Sequence, residues 1–195
     1  MSYSTDNLFQ RVKQLRSVFP FLHHFEKKFP QGEIYLVGGA VRDFLLGRET
    51  KDTDFLIRKV SAPDLRLFLS CHGKVHFVGK NFGVYKFRPE GTDLEIDVAL
   101  PRTERSFSNR GVYRDFEIYT DSDLPNKEDL TRRDFTINAM AVDITRLALI
   151  DPFCGLNDLG AGWIRAVGDP AVRFSEDYSR LLRGLRFACQ LRFQF

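Results

Sequence analysis

The chain has 195 residues, of which 43% are hydrophobic and 28% charged, so it can bury a sizeable core and suits one large domain or slightly more. Its formal net charge of +3 is too small to predict nucleic-acid binding by itself. No apolar run approaches the roughly 18 residues of a membrane span, and the N-terminus lacks the apolar segment of a signal peptide, so the sequence predicts a cytoplasmic protein with no membrane partner.

The N-terminal half alternates between helix and strand patterns. Apolar residues recur every three or four positions before Pro30, which is typical of a helix. They are Leu8, Val12, Leu15 and Phe19. Beyond them the pattern predicts, in order, a strand at 34–37, a tight turn at 38–39, a helix at 40–46, a strand at 53–57, a helix at 62–71 and strands at 74–79, 83–89 and 93–100.

The C-terminal half begins with residues 102–127, which are polar, aromatic and charged without periodicity and predict a long loop. The pattern then predicts a helix at 128–141, strands at 141–144 and 147–151, turns at 151–162 and a last strand at 163–168. A helix returns from Arg173, with an apolar stripe formed by Tyr178, Leu181, Leu182, Leu185 and Cys189. The simplest interpretation is an α+β fold, a mixed sheet flanked by helices and followed by the start of an all-helical region.

Paired aspartates stand out among the polar residues. Asp52 and Asp54 are two apart, so on a strand their carboxylates face the same side and repel unless water, a proton or a cation intervenes. Two hard oxygen ligands suit Mg²⁺, which takes further ligands from water and substrate phosphates. Asp97 can supply a third carboxylate, with Asp93 and Glu95 on the same face of its strand. A solvated surface turn is the alternative for an Asp-x-Asp pattern.

Two further features suit an anionic partner. Gly38 and Gly39, between a predicted strand and helix, leave backbone N–H groups accessible to a triphosphate, although a plain tight turn is the alternative. From residue 165 onward every basic residue is arginine, whose planar fork of donors fits phosphates and base edges. These arginines are Arg165, Arg173, Arg180, Arg183, Arg186 and Arg192. A solvated helix face remains the alternative for them.

Four runs in order resemble the head domain of the class II tRNA nucleotidyltransferase and bacterial poly(A) polymerase family, in the polymerase-β-like superfamily. They are GGAVRD followed by DTD, RRDFTINAMAVD, DPFCGLNDL and the segment 169–193, which carries an EDxxR motif. The resemblance covers about 34–195. It implies a catalytic head at 34–150 and a hinge with the truncated beginning of a helical neck at 151–195. The preceding residues 1–33, which have a helical pattern and no assigned motif, are interpreted as a helical leader.

The resemblance also implies roles for the head residues. Asp52 and Asp54 would be the ligands of two Mg²⁺ ions, and Asp97 would assist the metal or the attacking hydroxyl. The triphosphate would be held by Gly38, Gly39 and Arg42, with Asp43 orienting Arg42. Phosphate and ribose would be contacted by Arg133, Asp134 and Asn138, for which an internal Arg-Asp pair that fixes a helix is the alternative.

The EDxxR match implies how the base is chosen. Asp177 and Arg180, three apart on a predicted helix, would act as a protein template that accepts C or A and rejects G and U. An i,i+3 surface ion pair is the rival interpretation. Arg183 and Arg186 would extend the basic face toward phosphates or the RNA end.

We therefore expect a Mg²⁺-dependent enzyme that adds C and A to the 3′ end of tRNA from CTP and ATP without a nucleic-acid template, by two-metal phosphoryl transfer. A poly(A) polymerase, or a relative adding only CC or only A, is the alternative within this class. A non-catalytic module that binds nucleotide or RNA is the alternative from another class.

Overall fold

A computed structural model describes residues 4–50, 52–78, 83–106 and 116–195. Helices α1 to α8 span Thr5–Val18, Phe21–Lys28, Gly39–Leu45, Ala62–Ser70, Asn126–Thr131, Gly155–Ala161, Pro170–Glu176 and Ser179–Leu191. Strands β1 to β9 span Glu33–Val37, Asp54–Arg58, Gly73–Val78, Val84–Pro89, Ile96–Ala99, Arg102–Ser106, Phe116–Thr120, Ala141–Asp143 and Ala148–Ile150. A short 3₁₀ turn lies at Thr136–Asn138.

One mixed sheet organises the fold. Its seven strands lie in the order β3-β4-β5-β2-β1-β8-β9, and β6 and β7 form a separate hairpin. Strands β2 and β5 run parallel, whereas the other neighbours in the sheet run antiparallel. The α+β fold expected from the sequence is confirmed. None of the helices in the described ranges has the length and apolar character needed to cross a membrane.

The two N-terminal helices pack into the same core as the sheet. Ser4 caps α1, its hydroxyl accepting from the Asn7 backbone N–H at 3.3 Å, and α1 ends just before Pro20. Leu8 and Val12 then bury completely in the core that contains Leu36 of β1. Each such side chain contributes about 1.5–3 kcal/mol on burial. The segment predicted as a leader therefore stabilises the head directly, and the boundary at residue 33 stays a prediction.

The long loop predicted at 102–127 is wrong in part, because β6 and β7 pair in register there. Thr103 and Tyr119, which face each other in that register, are both exposed. Exposed positions such as these need no apolar side chain, so they add no apolar alternation to the sequence pattern. Residues 107–115 of the predicted loop lie outside the described part of the chain.

The predicted helix at 128–141 is also wrong in part, since α5 ends at Thr131. Phe135 turns to extended backbone and bridges Ala166, while its N–H donates to the Asp134 carboxylate at 2.8 Å. This side-chain bond replaces a helical one. The strand predicted at 163–168 is also wrong. This segment makes only isolated bridges, from Ala166 to Phe135 and from Trp163 to Gln194, because single extended residues and not a full strand lie beside it.

The region 151–162, predicted as turns, contains α6. The Asp151 carboxylate accepts from the backbone N–H groups of Gly155 and Leu156 at 2.7 and 2.9 Å, which caps this helix. The single helix predicted from Arg173 is two helices in the structure. Asp177 has an extended backbone, which ends α7 before α8 begins.

The apolar stripe predicted on that last helix is exposed. Leu182 is 70% and Leu185 55% exposed, and the remaining members of the stripe, Tyr178, Leu181 and Cys189, are exposed as well. The opposite face is the buried one, formed by Arg180, Gly184, Phe187 and Leu191. Helix α8 thus faces the head with arginine and aromatic side chains.

Candidate active site

A cleft of about 890 Å³ lies between the sheet and α8. The cleft is lined by every residue predicted to bind metal, nucleotide or base, whereas Arg165, Arg173 and Arg192 of the arginine cluster do not line it. The lining residues are Gly38, Gly39, Arg42, Asp52, Asp54, Asp97, Arg133, Asp134, Asn138, Asp177, Arg180 and Arg183. They come from segments far apart in the chain. The structure therefore brings the predicted metal-binding, nucleotide-binding and base-reading residues to one cleft, and their chemical roles stay predictions.

Carboxylates occupy the floor of the cleft. Asp54, the first residue of β2, stands directly opposite Asp97 of β5. Asp52 is exposed and precedes β2, so the prediction that it shares a strand face with Asp54 is wrong. Asp93 and Glu95 also precede their strand, which begins at Ile96, and are exposed. Both strands are shorter than the alternating patterns predicted. Strand β2 begins at Asp54 and β5 at Ile96, so the residues before them lie outside the paired part of the sheet.

This grouping changes the acidity of Asp54. Burial, and then the neighbouring Asp97 charge, raise the pKa of Asp54 to about 6, although Arg133 acts in the opposite direction. Asp97 is paired with Lys86 at 2.6 Å, and that contact raises the pKa of Lys86. Among the described residues no three His, Cys, Asp or Glu side chains form a metal site by themselves. Two carboxylates with oxygen ligands from a substrate still suit a divalent cation.

Gly38 and Arg133 fit together beside these carboxylates. Gly38 has φ +75°, and a Cβ there would lie 2.8 Å from the Arg133 Nη1 and 3.9 Å from the Asp54 Oδ2. The guanidinium of Arg133 therefore covers the turn between β1 and α3. Burial lowers the pKa of Arg133, and its Nε is buried without a hydrogen-bond partner. A buried cation with an unused donor is suited to an anionic ligand.

A hydrogen-bonded chain crosses the cleft from α3 to α8. The Arg42 Nη1 donates to the Asn138 Oδ1 at 2.7 Å, and the Asn138 Nδ2 donates to the Asp134 Oδ1 at 3.3 Å. The other Asp134 oxygen accepts from the Arg183 Nε at 2.7 Å. Arg42 also donates twice to Asp43, at 2.9 and 3.0 Å, the pairing that the sequence suggested. Because Arg183 belongs to α8 and Asp134 lies between α5 and the 3₁₀ turn, their ion pair joins α8 to the body of the head.

Asp177 and Arg180 are both buried at the cleft but lie differently from the prediction. Asp177 precedes α8, and its Oδ1 accepts from the Ser179 backbone N–H at 2.9 Å. The Arg180 Nη1 donates to the Glu176 Oε2 at 3.0 Å and to the Arg173 carbonyl at 3.2 Å. The shared helix face is therefore wrong, because the helix break separates the pair. The rival surface ion pair is wrong as well, because Arg180 pairs with Glu176.

Several cleft residues were not nominated from the sequence. The Glu104 Oε1 accepts from the Arg102 Nη2 at 2.9 Å and from the Arg132 Nη1 at 3.0 Å. Residues two apart on a strand share a face. The spacing of Arg102 and Glu104 would therefore have predicted their pairing if this segment had been predicted as a strand. Phe187 also lines the cleft, and its position seven residues after Arg180 places it on the same helix face.

The fold and the cleft together define a head domain of the polymerase-β-like nucleotidyltransferase type: a mixed sheet carrying carboxylates beside a glycine turn, faced by arginines. The comparison with known families agrees. The chain belongs to the poly A polymerase head domain family, whose model matches residues 34–165. The resemblance drawn from the sequence motifs is thereby confirmed.

Relatives and solved structures are similar over most of this chain. A multifunctional CCA protein of Neisseria meningitidis serogroup C (strain 053442) is 44% identical over 162 residues, which are 83% of this chain and 35% of the relative. A crystal structure of Bacillus stearothermophilus CCA-adding enzyme in complex with CTP has a TM-score of 0.69 and 30% identity, covering 90% of this chain and 39% of that one.

A tRNA nucleotidyltransferase complexed with a primer tRNA and an incoming ATP analog is similar with a TM-score of 0.66 and 35% identity, covering 88% of this chain and 45% of that one. The chain spans about a third of the length of the curated relatives it matches, 35% in the first two.

Proposed function

We propose that this chain is the nucleotide-binding and catalytic head of a tRNA nucleotidyltransferase that adds C and A to tRNA 3′ ends from CTP and ATP. The observation that carries the proposal is the cleft, which is lined by the paired carboxylates Asp54 and Asp97 and by the largely buried Arg133, whose guanidinium lies beside Gly38 near Asp54. Similarity to proteins named for CCA addition, and to structures holding CTP and a primer tRNA, supports the substrate assignment.

Asp52 and Asp54 would hold the divalent cation, which we propose is Mg²⁺, and Asp97 would assist. The fit rests on hard oxygen donors and on the raised pKa of Asp54, because carboxylates that repel each other gain most from a shared cation. When bound, Mg²⁺ lowers the pKa of the RNA 3′-hydroxyl and neutralises charge on the triphosphate. With a pKa of about 6, Asp54 would carry a negative charge at neutral pH and could act as a ligand of the cation.

The phosphates would be bound on the arginine side of the cleft. Arg133 lies over the Gly38 turn, and Arg42 is held nearby by Asn138 and Asp43. Their donors are fixed before a ligand arrives, which lowers the entropy lost on binding. Gly38 and Gly39 would hold the triphosphate, and Asp134 with Asn138 would contact the ribose, as the resemblance implies.

The base would be chosen at Asp177 and Arg180. A buried carboxylate can accept a hydrogen bond from the exocyclic amino group of C or A, and a guanidinium can donate to a ring acceptor. G and U present a carbonyl where the amino group is needed, which leaves the carboxylate without its partner. The pairing of Arg180 with Glu176 supports this role, because it fixes the guanidinium without occupying Asp177.

We also keep the division of the chain into a leader at 1–33, a head at 34–150 and a hinge with the beginning of a neck at 151–195 as a proposal, and the cytoplasm as its compartment. The family match begins at residue 34 and extends past 150 to 165. Arg183 of α8 would then belong to the neck while bonding to the head.

The test is calorimetric titration of CTP, ATP, GTP and UTP with Mg²⁺ into the chain and into Asp177→Asn. Asparagine keeps an oxygen for the Ser179 N–H but adds a donor toward the base. We expect CTP and ATP to bind at least tenfold more tightly than GTP and UTP, and the variant to lose this preference. Equal binding of all four nucleotides would contradict the base-reading role.

A second experiment separates the proposed enzyme from its alternatives. Incubation with tRNA lacking its terminal CCA should yield added C and A, which Asp54→Asn should abolish. Addition of A alone in long tracts would indicate a poly(A) polymerase, and addition of only CC or only A the partial relative. Nucleotide or RNA binding without any addition, unchanged in Asp54→Asn, would indicate the non-catalytic module.

A further inference from the structure

Three guanidinium groups surround one aromatic ring at the cleft. The Cζ atoms of Arg42, Arg183 and Arg186 lie 5.1, 5.6 and 4.9 Å from the centroid of the Phe187 ring. Arg42 comes from α3, whereas the other two belong to α8. Phe187 is only 5% exposed, and all four side chains line the cleft. The ring is therefore a shared platform between the head and α8.

Three like charges at such a distance repel one another, so they need compensation. Arg42 pairs with Asp43, and Arg183 pairs with Asp134. Arg186 is exposed, and within the described residues it makes neither a hydrogen bond nor an ion pair. The electron-rich face of an aromatic ring attracts a nearby cation. Phe187 thus offsets part of the repulsion, and Arg186 is the member of the three that lines the cleft without a hydrogen-bond or ion-pair partner among the described residues.

The position of the ring is set by the protein core. Phe187 packs edge-on against Phe135, with ring centroids 5.9 Å apart and planes at 87°. Gly184, one turn earlier on α8, faces the same Phe135 ring, and a Cβ there would lie 3.0 Å from it. Close approach at Gly184 therefore holds α8, and with it Phe187, in one place. The platform exists before any ligand binds.

We propose that Phe187 is a positioning residue for the reaction: its ring orients Arg42, Arg183 and Arg186 toward the phosphates of a bound nucleoside triphosphate, and Arg186 supplies an additional phosphate contact. The inference rests on the proposed function, since it assumes that the cleft binds a nucleoside triphosphate. It predicts that the electronic character of the ring, and not only its volume, controls nucleotide affinity.

The test replaces Phe187 with phenylalanine carrying one, two and three ring fluorines, which weaken cation binding by the ring while nearly preserving its shape. CTP affinity is measured by calorimetry with Mg²⁺, beside the thermal unfolding of each variant. We expect stepwise weakening that reaches about three- to tenfold in the trifluorinated protein, with little change in unfolding. A flat series would overturn the proposal, because packing alone would not follow fluorination.

Phe44 provides the matched control. Its ring carries the Arg11 guanidinium at 5.5 Å but does not line the cleft, so the same fluorination there should leave CTP affinity unchanged. Equal weakening at Phe44 would overturn the proposal. Arg186→Gln tests the additional contact without disturbing the core, and we expect a loss of CTP affinity of about two- to tenfold. Failure of the unmodified protein to bind CTP would instead overturn the proposed function, and this inference with it.

Discussion

Asp54 and Asp97 stand opposite each other on parallel strands, so two carboxylates meet at one point on the floor of the cleft. The arrangement is unfavourable for folding when both are ionised, and it is reflected in the pKa of Asp54, which burial and Asp97 raise to about 6. A nearby cation would relieve this repulsion.

The first prediction is that Asp54→Asn stabilises the metal-free protein at neutral pH. Because the pKa of Asp54 is raised to about 6 on folding from an ordinary 3.8, the folded state binds more protons between these values, and stability falls as pH rises through them. The variant should gain up to about 3 kcal/mol above pH 6 and nothing at pH 3.5. Urea unfolding at a series of pH values measures it.

Asp52→Asn is the control for that experiment. Asp52 lines the same cleft but is exposed, so its loss should change the free energy of unfolding by less than about 0.5 kcal/mol. If the two variants show the same pH dependence, the effect belongs to the general charge of the cleft and not to the Asp54 and Asp97 pair.

The second prediction concerns metal addition and removal. Millimolar Mg²⁺ should raise the midpoint of thermal unfolding at pH 7.5, because a ligand bound only by the folded state stabilises it. EDTA should reverse the rise. The effect should disappear in Asp54→Asn and fade below pH 6, where protons compete for the Asp54 carboxylate. A rise of the same size in the variant would contradict a site at Asp54.

The third prediction is that Gly38→Ala impairs nucleotide binding as well as folding. Positive φ strains any other residue, and the new Cβ would lie 2.8 Å from the Arg133 guanidinium and displace it. Gly91→Ala is a matched control, with φ +78° and nothing within 4 Å of the added Cβ. Both variants should lose about 1–2 kcal/mol of stability, but only Gly38→Ala should weaken CTP binding. Equal CTP affinities in calorimetry would mean that Arg133 does not contact the phosphates.

Part of the cleft could be predicted from the chemistry of single motifs, because Asp54 supplies a carboxylate and Gly38 a flexible turn wherever they fold. Arg133 was predicted only from the resemblance to the family. Relations between segments could not be predicted in the same way. The apolar stripe containing Leu182 was predicted, yet the structure leaves it exposed and buries the face containing Arg180 and Phe187, since burial depends on what α8 packs against.

The hairpin shows the same limit from another side. Among the side chains that the structure describes, those of Arg102 and Glu104 join β6 to the head through ion pairs, which need no apolar alternation. Glu104, whose side chain is 10% exposed, accepts from Arg102 and from Arg132. A strand held by charged partners is invisible to a search for hydrophobic periodicity.

The fourth prediction follows from that attachment. Glu104→Gln should cost about 1.5–3 kcal/mol, because it removes the carboxylate that the largely buried guanidinium groups of Arg102 and Arg132 share, although Arg132 keeps its ion pair with Asp129. Glu49→Gln is the control, since Glu49 pairs with Arg11 but is 90% exposed, and its loss should cost less than about 0.5 kcal/mol. Denaturant unfolding of both variants decides. Similar small losses would mean that solvent already screens the Glu104 cluster, and that the hairpin is held by its backbone pairing alone.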